Sequence, residues 1–292
     1  MIAAKPSRLR LDTASRAALM GFLERPRYEV LPTEEAQDLV TRNLPTEVTI
    51  TITSSPRRGI EATLSLAEKL AARGYGVVPH LAARLVRDAA HLQEIRSRLS
   101  AIGGRVFVVA GDWQEAAGEF PDSVSLLEAI AAGSPAMNEI GVTGYPERHS
   151  FIDDDLTIQA MWDKRRLATY IVSNLCFDVR VVKRWVARVR KRGVKLPVYI
   201  GMAGVADPAK LLRVSTRIGL SDSARFLRGH SNWLLRMIQP GGYAPDRFAT
   251  GLMPELARPD LKVAGIHVFT FNEVEPTEAW RRQMLSRLRQ QG

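Results

Sequence analysis

A chain of 292 residues, 46% hydrophobic and 25% charged, can bury a sizeable core without covalent staples. Its single cysteine, Cys176, excludes internal disulfides and all-cysteine metal sites, and its five histidines form no short ligand pair of the HExxH kind, so no catalytic metal is expected. The formal charge, 41 − 31 = +10, favours anionic partners. Nucleic acid would require a basic stripe interleaved with exposed aromatics, and none is visible. The basic clusters Lys183–Lys191 and Arg281–Arg289 read as solvated faces of amphipathic helices. No apolar run is long enough to span a membrane. The basic stretch Met1–Arg10 lacks the apolar core of a secretion signal, so a cytoplasmic address is expected.

Glycine and proline divide the chain into a regular alternation. A leading helix is expected over Asp12–Glu24, then a short strand at Arg27–Leu31 and a helical pattern from Glu34. Glu47–Thr53, rich in β-branched residues, is the second strand. Ile60–Ala72 carries apolar residues at helical spacing, with Gly74 as a stop. Tyr75–Leu81 is strand three, followed by a helix to about Ser100. Strands four to six are Arg105–Ala110, Glu139–Tyr145 and Tyr170–Cys176, and the last leads into a basic helix ending at Gly193. Leu196–Gly201 is strand seven, Gly265–Phe271 strand eight, and a final helix carries Trp280, Met284 and Leu288. Strands alternating with helices imply a parallel sheet, because parallel neighbours need long crossovers. Eight units match a (β/α)8 TIM barrel, a fold that runs to ~250 residues as one domain. An open doubly wound sheet would usually carry a glycine-rich turn after its first strand. Here LPTEEAQ follows instead. The stretch Val205–Arg258 is too long for one helix, so extra helices are expected between strands seven and eight.

Chemistry in such a barrel collects at the C-terminal strand ends. Those positions hold Glu29, Thr53, His80, Asp112, Tyr145, Asn174, Gly201 and Asn272. Gly201 could let a ligand approach the backbone. His80 and Tyr145, taken singly, read more readily as packed and hydrogen-bonded residues than as catalytic ones. A carboxylate pointing into a barrel mouth is costly unless paired or protonated. Glu29 therefore suits a general acid, unless it points outward and pairs with Arg25 or Arg27.

The segments YEVLP, VPHLAAR, VVAGDW with GEFPDSVSLL, IGVTGYPERHS, IVSNLCFD, LPVYIGMAG, KLLRVSTRIGLSDSARFL and GIHVFTFNEVEPTEAW follow one another in this order. In that ordered set the chain resembles the methylenetetrahydrofolate reductase family along nearly its whole length. The resemblance implies reduction of 5,10-methylenetetrahydrofolate to 5-methyltetrahydrofolate with NADH or NADPH as hydride donor. Glu29 then matches the acid that opens the substrate ring. Asp112 matches an aspartate that faces the pterin and stabilises a 5-iminium cation. Asn174 stands where the family usually has glutamine, and Phe226 where an aromatic stacks on the aminobenzoate. Thr53, His80 and Tyr145, with Asn174, match positions that face a nicotinamide or flavin ring. The resemblance also implies a single reductase domain over 1–292 without a regulatory domain, a folate substrate that can carry a polyglutamate tail, and a possible homo-oligomer.

The usual family members hold FAD, and this chain departs from the pattern that serves it. Ala110 replaces an arginine before the Gly111–Asp112 pair, Lys164 is shifted by about one position, and Leu167 replaces a glycine that admits the cofactor. The chain thus resembles short, divergent, flavin-independent members, although Arg57, Arg58 and Lys164 could still meet an FAD diphosphate. Two rivals remain at this point: an FAD-dependent reductase, and a tetrahydrofolate-dependent methyltransferase or demethylase on the same barrel.

Overall fold

In the computed structural model, which describes residues 11–54, 57–111, 118–146, 161–205 and 244–291, eight parallel strands close into a barrel in chain order. They are β1 (Arg27–Val30), β2 (Thr49–Ile52), β3 (Val77–Ala82), β4 (Arg105–Val109), β5 (Glu139–Gly144), β6 (Tyr170–Ser173), β7 (Val198–Ala203) and β8 (Val263–Phe269). Closure is made by β1 on β8, where Arg27 registers with His267 and Glu29 with Phe269. The expected (β/α)8 barrel is therefore present, and the open sheet is excluded.

Helices wrap the outside: α1 (Thr13–Glu24), α2 (Ala36–Asn43), α3 (Gly59–Ala71), α4 (Ala89–Ala101), α5 (Ser123–Ala132), α6 (Val179–Lys191), α7 (Pro245–Leu252) and α8 (Val274–Gln290). Four begin at an aspartate that accepts backbone N–H groups of the first turn, which would otherwise lack partners. Asp12 accepts from Ser15 at 2.7 Å, Asp88 from His91 at 2.7 Å, Asp122 from Val124 and Ser125 at 2.8 and 2.9 Å, and Asp178 from Arg180 at 2.8 Å. Between β7 and β8 lie α7 and two 3-10 turns, Glu255–Ala257 and Pro259–Leu261, in the long insertion where extra helices are expected. No helix among the described residues is long and apolar enough to cross a membrane.

Apolar packing is split in two. One large core fills the space between strands and helices, and a small inner cluster of Val78, Phe107, Tyr170 and Val172 fills the barrel. Below it Arg27 is clamped between the rings of Tyr170 and Tyr199, 4.2 and 4.1 Å from their centroids, and bonds Glu139 at 2.8 Å. Alternation along β1 therefore sends Arg27 and Glu29 inward and Tyr28 outward.

Two sequence readings are corrected here. Arg281 is not on a solvated face: it is 7% exposed, bonds Glu278 at 2.7 and 2.8 Å, and donates to the Leu23 carbonyl. Gly201 does not open the backbone to a ligand. A Cβ there would lie 2.1 Å from the Ser173 carbonyl oxygen, so this glycine serves the close approach of β6 and β7.

Candidate active site

At the C-terminal ends of the strands a cavity of about 160 Å³ is lined by Glu29, His80, Phe107, Asn174, His267 and Phe269, with Val109, Thr143, Val172 and Ser173. Glu29 reaches it from a strand of only four residues, and the backbone around it is pinned from the far end of the chain. Its carbonyl accepts from Thr270 Oγ1 at 2.6 Å, and the Asn272 side chain brackets Leu31, accepting from its N–H at 2.8 Å and donating to its carbonyl at 3.2 Å. Asn272 holds this clamp in a left-handed conformation, φ 61°, which asparagine tolerates better than most residues. It is a structural residue at the strand end.

The Glu29 side chain is 16% exposed and points inward. Its Oε2 lies 3.0 Å from His267 Nε2, within hydrogen-bond distance, and 3.8 Å from His80 Nε2, beyond it. The outward reading with Arg25 or Arg27 is thus overturned. Arg27 shares the inward face of β1 but is committed to Glu139 one layer lower. Burial pushes the His80 imidazole down to about 4, against the pull of the Glu29 carboxylate and with the help of His267. His80 is therefore neutral near pH 7, and its ring lies tilted against Phe107 with centroids 4.7 Å apart. A carboxyl group between two buried imidazoles can hold and release a proton with little water at hand.

The other expected residues divide. Asn174 lines the cavity, but its Oδ1 accepts from the backbone of Leu175 at 2.8 Å, leaving its Nδ2 as the amide group without a bond to a described residue. Thr53 and Tyr145 sit at the ends of β2 and β5 and are not among the lining residues; the Thr53 hydroxyl is buried without a hydrogen-bond partner. Asp112 and Phe226 lie outside the described residues. His267 is the residue that sequence reasoning missed. It is 1% exposed and 238 positions from Glu29. Its signal was present: Gly265, His267 and Phe269 alternate on one face of GIHVFTF, as inward residues must.

Among the described residues no group of three or more His, Cys, Asp or Glu side chains could hold a metal ion.

Comparison with known proteins gives a curated relative, methylenetetrahydrofolate reductase 1 of Schizosaccharomyces pombe, 32% identical over 119 residues. That match covers 40% of this chain and 20% of the relative, so the chain spans only a fraction of that protein's length. Among solved structures, tryptophan synthase from M. tuberculosis is similar at TM-scores of 0.47 and 0.48 with 12% and 11% identity, covering 97% of this chain and 99% and 100% of the other. Yersinia pestis DHPS with a pterine-sulfa conjugate is similar at 0.42 and 14% identity, over 90% of this chain and 94% of that one. The family model described as methylenetetrahydrofolate reductase matches residues 32–222, well over half of the sequence, and the chain therefore belongs to the methylenetetrahydrofolate reductase family.

Proposed function

We propose that this protein reduces 5,10-methylenetetrahydrofolate to 5-methyltetrahydrofolate with hydride taken directly from NADH or NADPH. The observation that carries the reading is Glu29, an inward carboxyl at the barrel mouth, hydrogen-bonded to a buried histidine and open to the cavity. Glu29 gives its proton to the N10 side of the five-membered ring, the bond from N10 to the methylene carbon breaks, and a 5-iminium cation forms. Hydride then adds to that carbon, and Glu29 regains a proton from solvent. Neutral His80 places no second positive charge beside the cation. Asp112, by its family position, would supply the negative charge that stabilises it, and Phe226 would stack on the aminobenzoate. The Asn174 amide lines the cavity beside the nicotinamide ring, and Thr53 and Tyr145, which do not line it, would face that ring by their family positions alone.

FAD, which the family implies, fits these residues poorly. Leu167, where the resemblance expects a glycine, packs its side chain against the core and donates its N–H to the Lys164 carbonyl at 2.9 Å. Ala110, where it expects an arginine, offers only a carbonyl already taken by Arg84 N–H at 3.1 Å. The nicotinamide must then approach the pterin directly, with the reacting carbons within about 3–3.5 Å. A cytoplasmic address accompanies this reading.

The test is loss of the reduced-nicotinamide absorbance that depends on 5,10-methylenetetrahydrofolate, with 5-methyltetrahydrofolate identified as product in enzyme purified without flavin. Methyl transfer onto tetrahydrofolate with no nicotinamide consumed would overturn it in favour of the methyltransferase reading.

A further inference from the structure

Both imidazoles beside Glu29 approach the same oxygen. Oε2 lies 3.0 Å from His267 Nε2 and 3.8 Å from His80 Nε2. Oε1 has no bond to a described residue and is not among the sealed polar atoms, so it is the oxygen left to the cavity. His267 has a second peculiarity. Its Nδ1 is buried without a hydrogen-bond partner, and the ring is 1% exposed.

These facts select a tautomer. When Glu29 is a carboxylate it can only accept, so His267 can bond it only by donating from Nε2. In that tautomer its Nδ1 is a bare lone pair. The other tautomer would bury an N–H donor with nothing to receive it, and would set the Nε2 lone pair against the carboxylate. Exchanging tautomers would require moving a proton to Nδ1, which is buried and has no hydrogen-bond partner to deliver one. The Nε2–H form thus persists when Glu29 is protonated. Oε2, already receiving a hydrogen bond, is then the carbonyl oxygen, and the acidic proton sits on Oε1.

We propose that His267 is a positioning residue: as the Nε2–H tautomer it holds Oε2 as acceptor and so keeps the acidic proton of Glu29 on the oxygen that faces the substrate. The proposal rests on the reading of Glu29 as the acid. The titratable groups that face this carboxyl among the described residues are His267 from β8 and His80 from β3; Arg27 below is committed to Glu139.

Two measurements test it. Nitrogen NMR of wild-type protein carrying labelled histidine, with the His267 ring signals assigned by through-bond correlation to its own backbone resonances, should show the Nε2–H tautomer. An Nδ1–H tautomer overturns the proposal. In turnover, His267→Leu should lower kcat on the order of tenfold to 10²-fold with KM little changed, the scale of a misplaced reacting group. His267→Gln, whose amide N–H reaches the same place, should recover most of it. In a Glu29→Gln background, where no proton needs placing, His267→Leu should add little. Equal losses in the leucine and glutamine variants, or the same loss with Glu29 already replaced, would show a structural role only. The tautomer is read on wild-type protein, so it decides even where a variant fails to fold. Wild-type protein without reductase turnover would remove the proposed reaction, while the tautomer would still be read independently.

Discussion

Replacing Glu29 by glutamine takes away one acidic proton and almost nothing else. The amide has the size of the carboxyl, and by turning its oxygen toward His267 it keeps the 3.0 Å contact with Nε2. The backbone clamps from Thr270 and Asn272 act on main-chain atoms and are untouched. The barrel should therefore fold with unchanged thermal stability, and both substrates should bind. What is lost is general acid catalysis, worth on the order of 10²–10⁴-fold, or about 2.7–5.4 kcal/mol of activation free energy. Among the described residues the other titratable groups lining the cavity are imidazoles, and His80, neutral near pH 7, cannot take over as the acid. The assay is initial-rate oxidation of reduced nicotinamide at saturating folate, with substrate dissociation constants measured alongside, so that a loss in kcat separates from a loss in binding. Retention of more than about a tenth of wild-type turnover falls short of the expected range. It would show that Glu29 is not the acid and return Asp112 or a bound water to that role.

Three further outcomes are expected. On the reading that Leu167 and Ala110 disfavour a dinucleotide flavin, the purified protein should be colourless and indifferent to added FAD; a stoichiometric flavin absorbance band would contradict this. Arg281→Met should cost about 3–5 kcal/mol in denaturant unfolding, because it removes a partner from Glu278, which is 3% exposed; a change under ~1 kcal/mol would show that Arg282, also bonded to Glu278 at 2.8 Å, suffices. His80 is held near 4 in the folded protein while the unfolded chain binds its proton near the ordinary 6.5, so the unfolded state holds more protons between those values. Stability should therefore fall as pH drops from 6.5 toward 4, by roughly 3 kcal/mol from this group, and His80→Phe should flatten that part of the profile; an unchanged slope in the variant would refute the assignment.

Local pattern was enough for the architecture. Short runs of β-branched residues, helical spacing between them and glycine stops mark eight strand–helix units, and the observed strands fall within a few residues of those runs. This works because side-chain periodicity and chain reversal are local properties. The same periodicity could have corrected one error. Thr277, Arg281, Met284 and Leu288 recur at helical spacing, so Arg281 belongs to the buried face of α8, although its charge suggested solvent. Glu29 was legible as a carboxylate in a strand at a barrel mouth.

The partners of Glu29 were not legible. Alternation within GIHVFTF says that His267 faces inward but not which strand it meets. That neighbour exists only because β8 closes on β1, joining residues 238 positions apart. Closure likewise placed Arg27 between Tyr170 and Tyr199 and freed Glu29 from it. It also drew His80 into an enclosure deep enough to keep its ring neutral. Sequence alone determined the number of strands and their succession along the chain, since these follow from spacing along the chain. Only the tertiary structure decided which charges meet and how far they are desolvated, because contact across a closed barrel and exclusion of water are properties of the whole sheet rather than of any one strand.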